Sequence, residues 1–96
     1  MQTTRELFYT SRYKKDYKRE AKGQYAQSLE RELRIVIEVL LNNQRLPVSF
    51  RDHALAGEWI GHRDCHIKPD LVLIYQYPDA ETLLLVRLGT HSELGF

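Results

Sequence analysis

Histidines and aspartates lie close together in the second half of this chain of 96 residues. Between positions 52 and 70 the sequence contains His53, His62 and His66 together with Asp52, Asp64 and Asp70. An imidazole has an ordinary pKa of about 6.5, so it can accept or donate a proton at neutral pH. These residue types therefore favour general acid–base chemistry, although each could also be an ordinary polar residue on the solvent-facing side of a sheet.

The spacing of these residues predicts which of them share a face. In a strand, residues two apart point to the same side of the sheet. A strand over 59–67 would therefore project His62, Asp64 and His66 together and turn Cys65 into the core. We expect a shared polar surface here.

A metal centre is the first alternative for this cluster. Structural zinc requires four ligands in short paired spacings, and one cysteine cannot supply them. His62 and His66 have the HxxxH spacing of a zinc helix, but the glutamate that should follow the first histidine is absent. The sequence also lacks GxSxG, GxxxxGK[ST] and GxGxxG motifs. We expect neither a metal nor a cofactor.

Metal-free cleavage of a phosphodiester beside a 2′-hydroxyl is the second alternative. It needs a base, an acid and cations that stabilise charge on phosphorus. Candidates for proton transfer are His53, His66 and His91, and Arg87 is a candidate cation. Trp59 and Phe96 could stack on bases, although a tryptophan is equally suited to the core.

Two helices are predicted in the first half of the chain. Tyr13, Tyr17 and Ala21 form an apolar stripe at helical spacing, with Ser11 as the candidate N-cap. A second helix is predicted from Tyr25 to Leu41, where leucine, isoleucine and valine recur every three or four residues.

Strand patterns flank these helices. They cover residues 7–9, 59–67, 71–77 and 82–88. The last three are joined by connections too short for parallel crossovers, so we expect antiparallel neighbours. Residues 71–74 are apolar on both faces, as in a central strand. The predicted fold is α+β, in the order β-α-α-β-β-β, with a mainly antiparallel sheet and both helices packed on one face.

Length and charge limit the class of protein. At 96 residues the chain is one domain, 1–96. It shows no apolar run long enough for a membrane span and no signal peptide, so we expect a cytoplasmic protein without a membrane partner. The net charge is +1, yet residues 12–22 hold six cations and two acids, a local charge of +4 that leaves −3 elsewhere.

Three segments together resemble one family. They read DHALAGEW from Asp52, RDCHIKPDLVLIY from Arg63 and RLGTHSEL from Arg87. This pattern is similar to that of the YafQ branch of the RelE/ParE toxin superfamily, and the resemblance extends over essentially the whole chain. It implies a RelE-like microbial RNase fold and a bacterial type II toxin. Such a toxin is a ribosome-dependent, metal-independent endoribonuclease that cleaves mRNA in the A site by 2′-hydroxyl attack.

The resemblance also implies roles for single residues. The catalytic positions of the family match His53, His66, Asp70 and His91. Arg87 matches a phosphate contact, while Asp64 and Trp59 match positions near the site. The family pattern ends in His-x-x-Leu-Phe, whereas here Gly95 separates Leu94 from Phe96, so the terminal aromatic is displaced by one residue.

The resemblance further implies partners. These are a cognate antitoxin protein, the ribosome with its rRNA, and mRNA; operator DNA is contacted only through the antitoxin complex. Because Gly95 displaces the terminal aromatic Phe96, an alternative stays open. In that alternative the chain has this fold but binds RNA or the ribosome with weak catalysis or none.

Overall fold

The chain forms five strands and three α-helices in the computed structural model, which describes residues 4–96. The strands are Glu6–Tyr9 (β1), His53–Ala54 (β2), Arg63–Lys68 (β3), Leu71–Gln76 (β4) and Thr82–Gly89 (β5). The helices are Ser11–Ala21 (α1), Leu29–Leu41 (α2) and His91–Leu94 (α3). The sheet order is β1-β5-β4-β3-β2; β1 and β5 are parallel and the other pairs antiparallel. The α+β fold with a mainly antiparallel sheet is confirmed.

Strand β4 lies at the centre of the sheet, as its apolar run predicts. Leu71 to Tyr75 are at most 1% exposed. One face of the sheet packs against α1 and α2 in the main core, which includes Leu73 and Cys65. The other face bears only a small apolar cluster formed by Val72, Ile74 and Leu94. No helix within residues 4–96 is long and apolar enough to cross a membrane.

The starts of both long helices differ from those that the sequence pattern predicts. The N-cap of α1 is Thr10 rather than Ser11, because the Thr10 hydroxyl accepts a hydrogen bond of 2.9 Å from the Tyr13 N–H. Helix α2 begins at Leu29 rather than Tyr25. Residues 23–28 instead form turns held by bonds between residues three apart, such as Ser28 N–H to the Tyr25 carbonyl at 3.1 Å.

The strand predicted over 59–67 is wrong at its start. Trp59 ends a 3₁₀ turn, and Gly61 has a φ of +86°, which breaks the extended run. Strand β3 therefore begins at Arg63. His62 precedes the strand, so it is not part of the alternation that orients Asp64 and His66; its ring lies against Trp59 instead. Strand β2 and helix α3 were not predicted from the sequence.

Helix α1 lies along the free edge of β5. Beyond the end of β1, the backbone of β5 is bonded by α1 side chains instead of a strand. Asp16 accepts from the Leu88 N–H at 3.0 Å, and Arg19 donates to the Leu88 carbonyl at 2.9 Å. The edge of the sheet is thus closed by charged side chains.

The acidic residues of α1 turn inward and its lysines turn outward. Asp16 and Glu20 are 3% and 7% exposed, and both are bonded to Arg19. The outer surface of the helix is purely basic. Five of its cations are exposed and have no ion pair within residues 4–96: Arg12, Lys14, Lys15, Lys18 and Lys22.

Candidate active site

Sheet register gathers the predicted site residues on the face opposite α1 and α2. His53 pairs with Asp64, Asp64 with Ile74, and Ile74 with Arg87, in one row across four strands. Residues directly opposite each other in antiparallel strands share a face. His66, two residues beyond Asp64 in β3, projects from this face as well. The sequence prediction that Asp64 and His66 project together is confirmed by the backbone.

His91 is held by Asp70, which lies in the turn between β3 and β4. Its Nδ1 is 2.6 Å from Asp70 Oδ1, and its backbone N–H donates to the same oxygen at 3.2 Å. Because a carboxylate only accepts, the proton lies on Nδ1 and leaves Nε2 available to a substrate. The His66 ring lies 5.2 Å from the His91 ring. Hydrogen bonds from the side chain and backbone of His91 lower the pKa of Asp70.

This contact makes a direct prediction. His91→Ala removes the largest cause of the lowered pKa of Asp70, so that pKa should rise towards the ordinary aspartate range. The charge of His66 is a minor cause, so His66→Ala should raise it less. Titration of the Asp70 carboxyl carbon by NMR measures both changes. Equal shifts in the two variants would contradict the hydrogen-bonded geometry.

His53 is anchored in the same way by a different acceptor. Its Nδ1 lies 2.9 Å from the Arg51 carbonyl oxygen and 3.1 Å from Asp64 Oδ1. The carbonyl can only accept, so Nδ1 carries the proton and Nε2 is again free. Arg51 presents its carbonyl from a left-handed conformation, with a φ of +51°.

Asp64 is a buried carboxyl beneath the histidines. It is 3% exposed, and its Oδ1 accepts no hydrogen bond within residues 4–96, because His53 Nδ1, although 3.1 Å away, bonds the Arg51 carbonyl. Burial raises the pKa of Asp64, and the charges of His53, His66 and His91 only partly offset that effect. The carboxyl is thus coupled electrostatically to all three histidines.

One side of the Arg87 guanidinium forms an ion pair with Asp16 of helix α1. Its Nε and Nη2 lie 2.7 Å and 3.3 Å from the two carboxylate oxygens of Asp16, and the side chain is 14% exposed. This side-on pair orients the guanidinium plane. No hydrogen bond from Nη1 is present within the described residues, so that amino group remains for an anion.

The aromatic residues divide between the cluster and its margin. Gly95, with a φ of +81°, ends α3 so that the Phe96 N–H reaches the His91 carbonyl at 2.8 Å. The Phe96 ring then lies 6.3 Å from the His91 ring. Trp59 instead packs against the small apolar cluster, with the His62 ring 5.3 Å away. Phe96 therefore lies at the histidines, and Trp59 and His62 lie at the margin.

Two of the clefts in the described part of the chain bear on the location of the site. The larger, about 670 Å³, lies on the helical side between α1, α2 and β1, far from the chemistry described above. The smaller, about 340 Å³, opens beside His66 and is lined in part by Phe50, Arg51 and Lys68. Only the smaller cleft adjoins the histidine surface.

Two parts of this site escaped the sequence analysis. Helix α3 has a sequence signal, because Thr90 and Glu93 form a capping box in which each side chain bonds the other's backbone N–H. Asp16 has no such signal, since its partner Arg87 is 71 residues away in sequence. No group of three or more His, Cys, Asp or Glu side chains in residues 4–96 is arranged to hold a metal ion.

Comparisons with known proteins identify relatives of this chain. Residues 5–95 match the model of the bacterial toxin of type II toxin–antitoxin systems, YafQ. The putative toxin YafQ of Haemophilus influenzae is 53% identical over 60 residues, a match that spans 59% of each chain. The mRNA interferase toxin YafQ of Escherichia coli K12 is 37% identical over 91 residues, which cover 94% of this chain and 95% of the relative.

A solved structure extends the likeness to three dimensions. The crystal structure of the E. coli DinJ-YafQ toxin–antitoxin complex contains a chain that superposes with a TM-score of 0.79 at 37% identity. The match covers 95% of this chain and 97% of that one. With the fold, the full-length family match and the solved relative in agreement, this chain belongs to the YafQ family of bacterial type II toxin–antitoxin toxins.

Proposed function

We propose that this chain is an mRNA interferase, a toxin that cuts mRNA in the ribosomal A site by 2′-hydroxyl attack and without a metal. One observation carries the proposal: His53 and His91 each have Nδ1 held by an oxygen acceptor, and neither Nε2 has a hydrogen bond within residues 4–96. Two fixed imidazoles are what an acid–base pair requires. The E. coli relative, named an mRNA interferase toxin, supports the same activity.

The proposed reaction assigns a role to each group. One of His53 and His91 takes the proton from the 2′-hydroxyl, whose oxygen forms a bond to phosphorus. The other gives a proton to the 5′-oxygen as its bond to phosphorus breaks, which leaves a 2′,3′-cyclic phosphate and a 5′-hydroxyl. His66 and Asp70 position the reacting groups. Arg87 Nη1 stabilises the charge that collects on the phosphorane.

Substrate binding would combine charge and stacking. The five exposed cations of α1 form a basic surface that can contact rRNA and mRNA phosphates despite the net charge of +1. Phe96, next to His91, and Trp59, at the margin of the site, would stack on bases. Asp64 stays beneath this surface and acts through the histidines.

Family membership supports a proposal about partners and location. We propose that a cognate antitoxin protein holds the chain inactive, as the DinJ-YafQ complex of E. coli suggests. Operator DNA would be contacted only through that complex. The chain would act in the cytoplasm, where translating ribosomes are found.

An in vitro translation reaction tests the proposal. Added purified chain should stop translation and produce mRNA fragments with 5′-hydroxyl ends, while the same mRNA without ribosomes stays intact because the ribosome orients the substrate. Chain that has been treated with EDTA and returned to the translation buffer should cleave at the same rate. Loss of cleavage after that treatment would indicate a metal-dependent hydrolase instead.

The same reaction separates the alternative function. A non-catalytic RNA or ribosome binder of this fold would inhibit translation and leave the mRNA intact. Primer extension on the recovered mRNA distinguishes the two outcomes. Cleavage of free mRNA at the ribosomal rate would contradict ribosome dependence but not the nuclease activity.

A further inference from the structure

Helix α3 carries His91 but is too short to hold its own position. It spans four residues, a single turn, and isolated helices of that length do not form in water. Its apolar anchor is Leu94, which is 7% exposed in the small cluster on the site face. On one side Asp70 bonds His91. A second tertiary contact on another side is needed to fix the rotation of the turn.

That second contact comes from Arg19 of α1. Its Nε forms an ion pair of 2.9 Å with Glu93 Oε2, which belongs to α3, and donates its hydrogen bond, also 2.9 Å long, to Glu20 Oε2 within α1. The same guanidinium donates from Nη2 to the Leu88 carbonyl and from Nη1 to Asp16 Oδ1, both at 2.9 Å. One planar group therefore joins α1, the end of β5 and α3.

The backbone at Gly89 is shaped around this contact. A Cβ at position 89 would lie 3.0 Å from Arg19 Nη2 and 3.1 Å from Glu93 Oε1. The φ of Gly89 is not positive, so an alanine would fit the backbone conformation and would disturb only these two side chains. The absence of a side chain at Gly89 lets the arginine pass over the junction between β5 and α3.

Charge at the junction is concentrated on Glu93. Burial raises the pKa of Glu20, the other carboxyl that Arg19 contacts. A hydrogen bond from the Thr90 backbone N–H lowers the pKa of Glu93. Glu93 is therefore the more readily ionised of the two carboxyls that lie 2.9 Å from Arg19 Nε.

We propose that Arg19 is a positioning residue for cleavage, which ties α3 to α1 through Glu93 and so holds His91 at the site. Arg19 acts through Glu93 and makes no contact with the reacting atoms. This role sets it apart from the outward-facing cations of α1, which make no ion pair within residues 4–96. The proposal rests on the proposed cleavage reaction, with His91 as one of its proton-transfer groups.

Arg19→Met and Lys15→Met test the proposal as a matched pair. Each removes one positive charge from α1, but Lys15 has no contact with α3. Arg19→Met should lower the cleavage rate at saturating chain concentration about 10-fold, because a small displacement of His91 is costly. Lys15→Met should raise only the half-saturating concentration. Equal losses that vanish at saturation would show that Arg19 is merely a binding charge and overturn the proposal.

A double variant tests whether Arg19 acts on the cleavage rate through Glu93. Glu93→Gln keeps the capping box, which accepts glutamine, and removes the charge that faces Arg19. In an Arg19→Met background it should cause no further loss of rate. If the rate loss of the double variant equals the product of the two single losses, the two residues act separately. Gly89→Ala should reproduce a smaller part of the Arg19→Met loss.

A readout without RNA keeps this inference separate from the proposed function. The Leu94 and Phe96 amides bond to the Thr90 and His91 carbonyls within α3. Their hydrogen exchange should accelerate in Arg19→Met and stay unchanged in Lys15→Met. Faster exchange in Arg19→Met, together with an inactive wild-type chain, would refute the nuclease activity and retain the positioning role of Arg19. Unchanged exchange would refute that positioning role.

Discussion

Replacing His91 with alanine is expected to lower the rate of mRNA cleavage on ribosomes by about 100-fold or more. His91 is oriented by Asp70 at 2.6 Å, is flanked by the His66 ring, and has its free Nε2 at the site. The variant loses the proton-transfer group while Leu94 keeps α3 packed on the sheet. The rate of appearance of cleaved mRNA ends in a translation reaction measures the effect.

His62→Ala is the matched control for this variant. It removes the same side chain from a position whose ring contacts Trp59 and lies outside the cluster. Its cleavage rate should stay within about twofold of wild type, because surface substitutions rarely change stability by more than 0.5 kcal/mol. His53→Ala should behave like His91→Ala. Wild-type rates in both the His53 and His91 variants would refute the acid–base pair.

Replacing Asp16 with alanine is expected to lower the free energy of unfolding by about 3 kcal/mol. The Asp16 carboxylate is 3% exposed and accepts from Arg87, Arg19 and the Leu88 N–H. The substitution leaves the Arg87 guanidinium, itself 14% exposed, without its partner. Urea denaturation measures the loss. Glu30→Ala, which breaks the exposed pair with Arg34, should cost less than about 1 kcal/mol.

The effect of Asp16 should also depend on pH. Burial opposes ionisation, but hydrogen bonds from Arg87, Leu88 and Arg19 together lower the pKa of Asp16. Its folded pKa thus lies below the unfolded one. Its stabilising contribution is complete above about pH 4, the ordinary aspartate pKa, and is lost as the pH falls through the folded value. The gap in stability between wild type and Asp16→Ala should narrow below pH 4, and a gap that widened there would contradict this assignment.

Local patterns determined the elements with strong periodicity. Apolar residues at helical spacing indicate α1 and α2, and a short run that is apolar on both faces, beginning at Leu71, indicates β4. All three elements form in the structure. Boundaries were less well predicted, because Gly61 and the turns at 23–28 depend on backbone conformations that hydrophobic spacing does not encode.

The sequence by itself also identified the types of residue at the site and, through three ordered motifs, the family. What only the tertiary structure decided is how they are held. The Asp70 and Arg51 oxygens select the free nitrogen of each histidine, and Asp16 orients Arg87 from a helix 71 residues away. Contacts between residues so distant leave no periodic trace in a sequence, because they arise only when strand register and helix packing bring separate segments together.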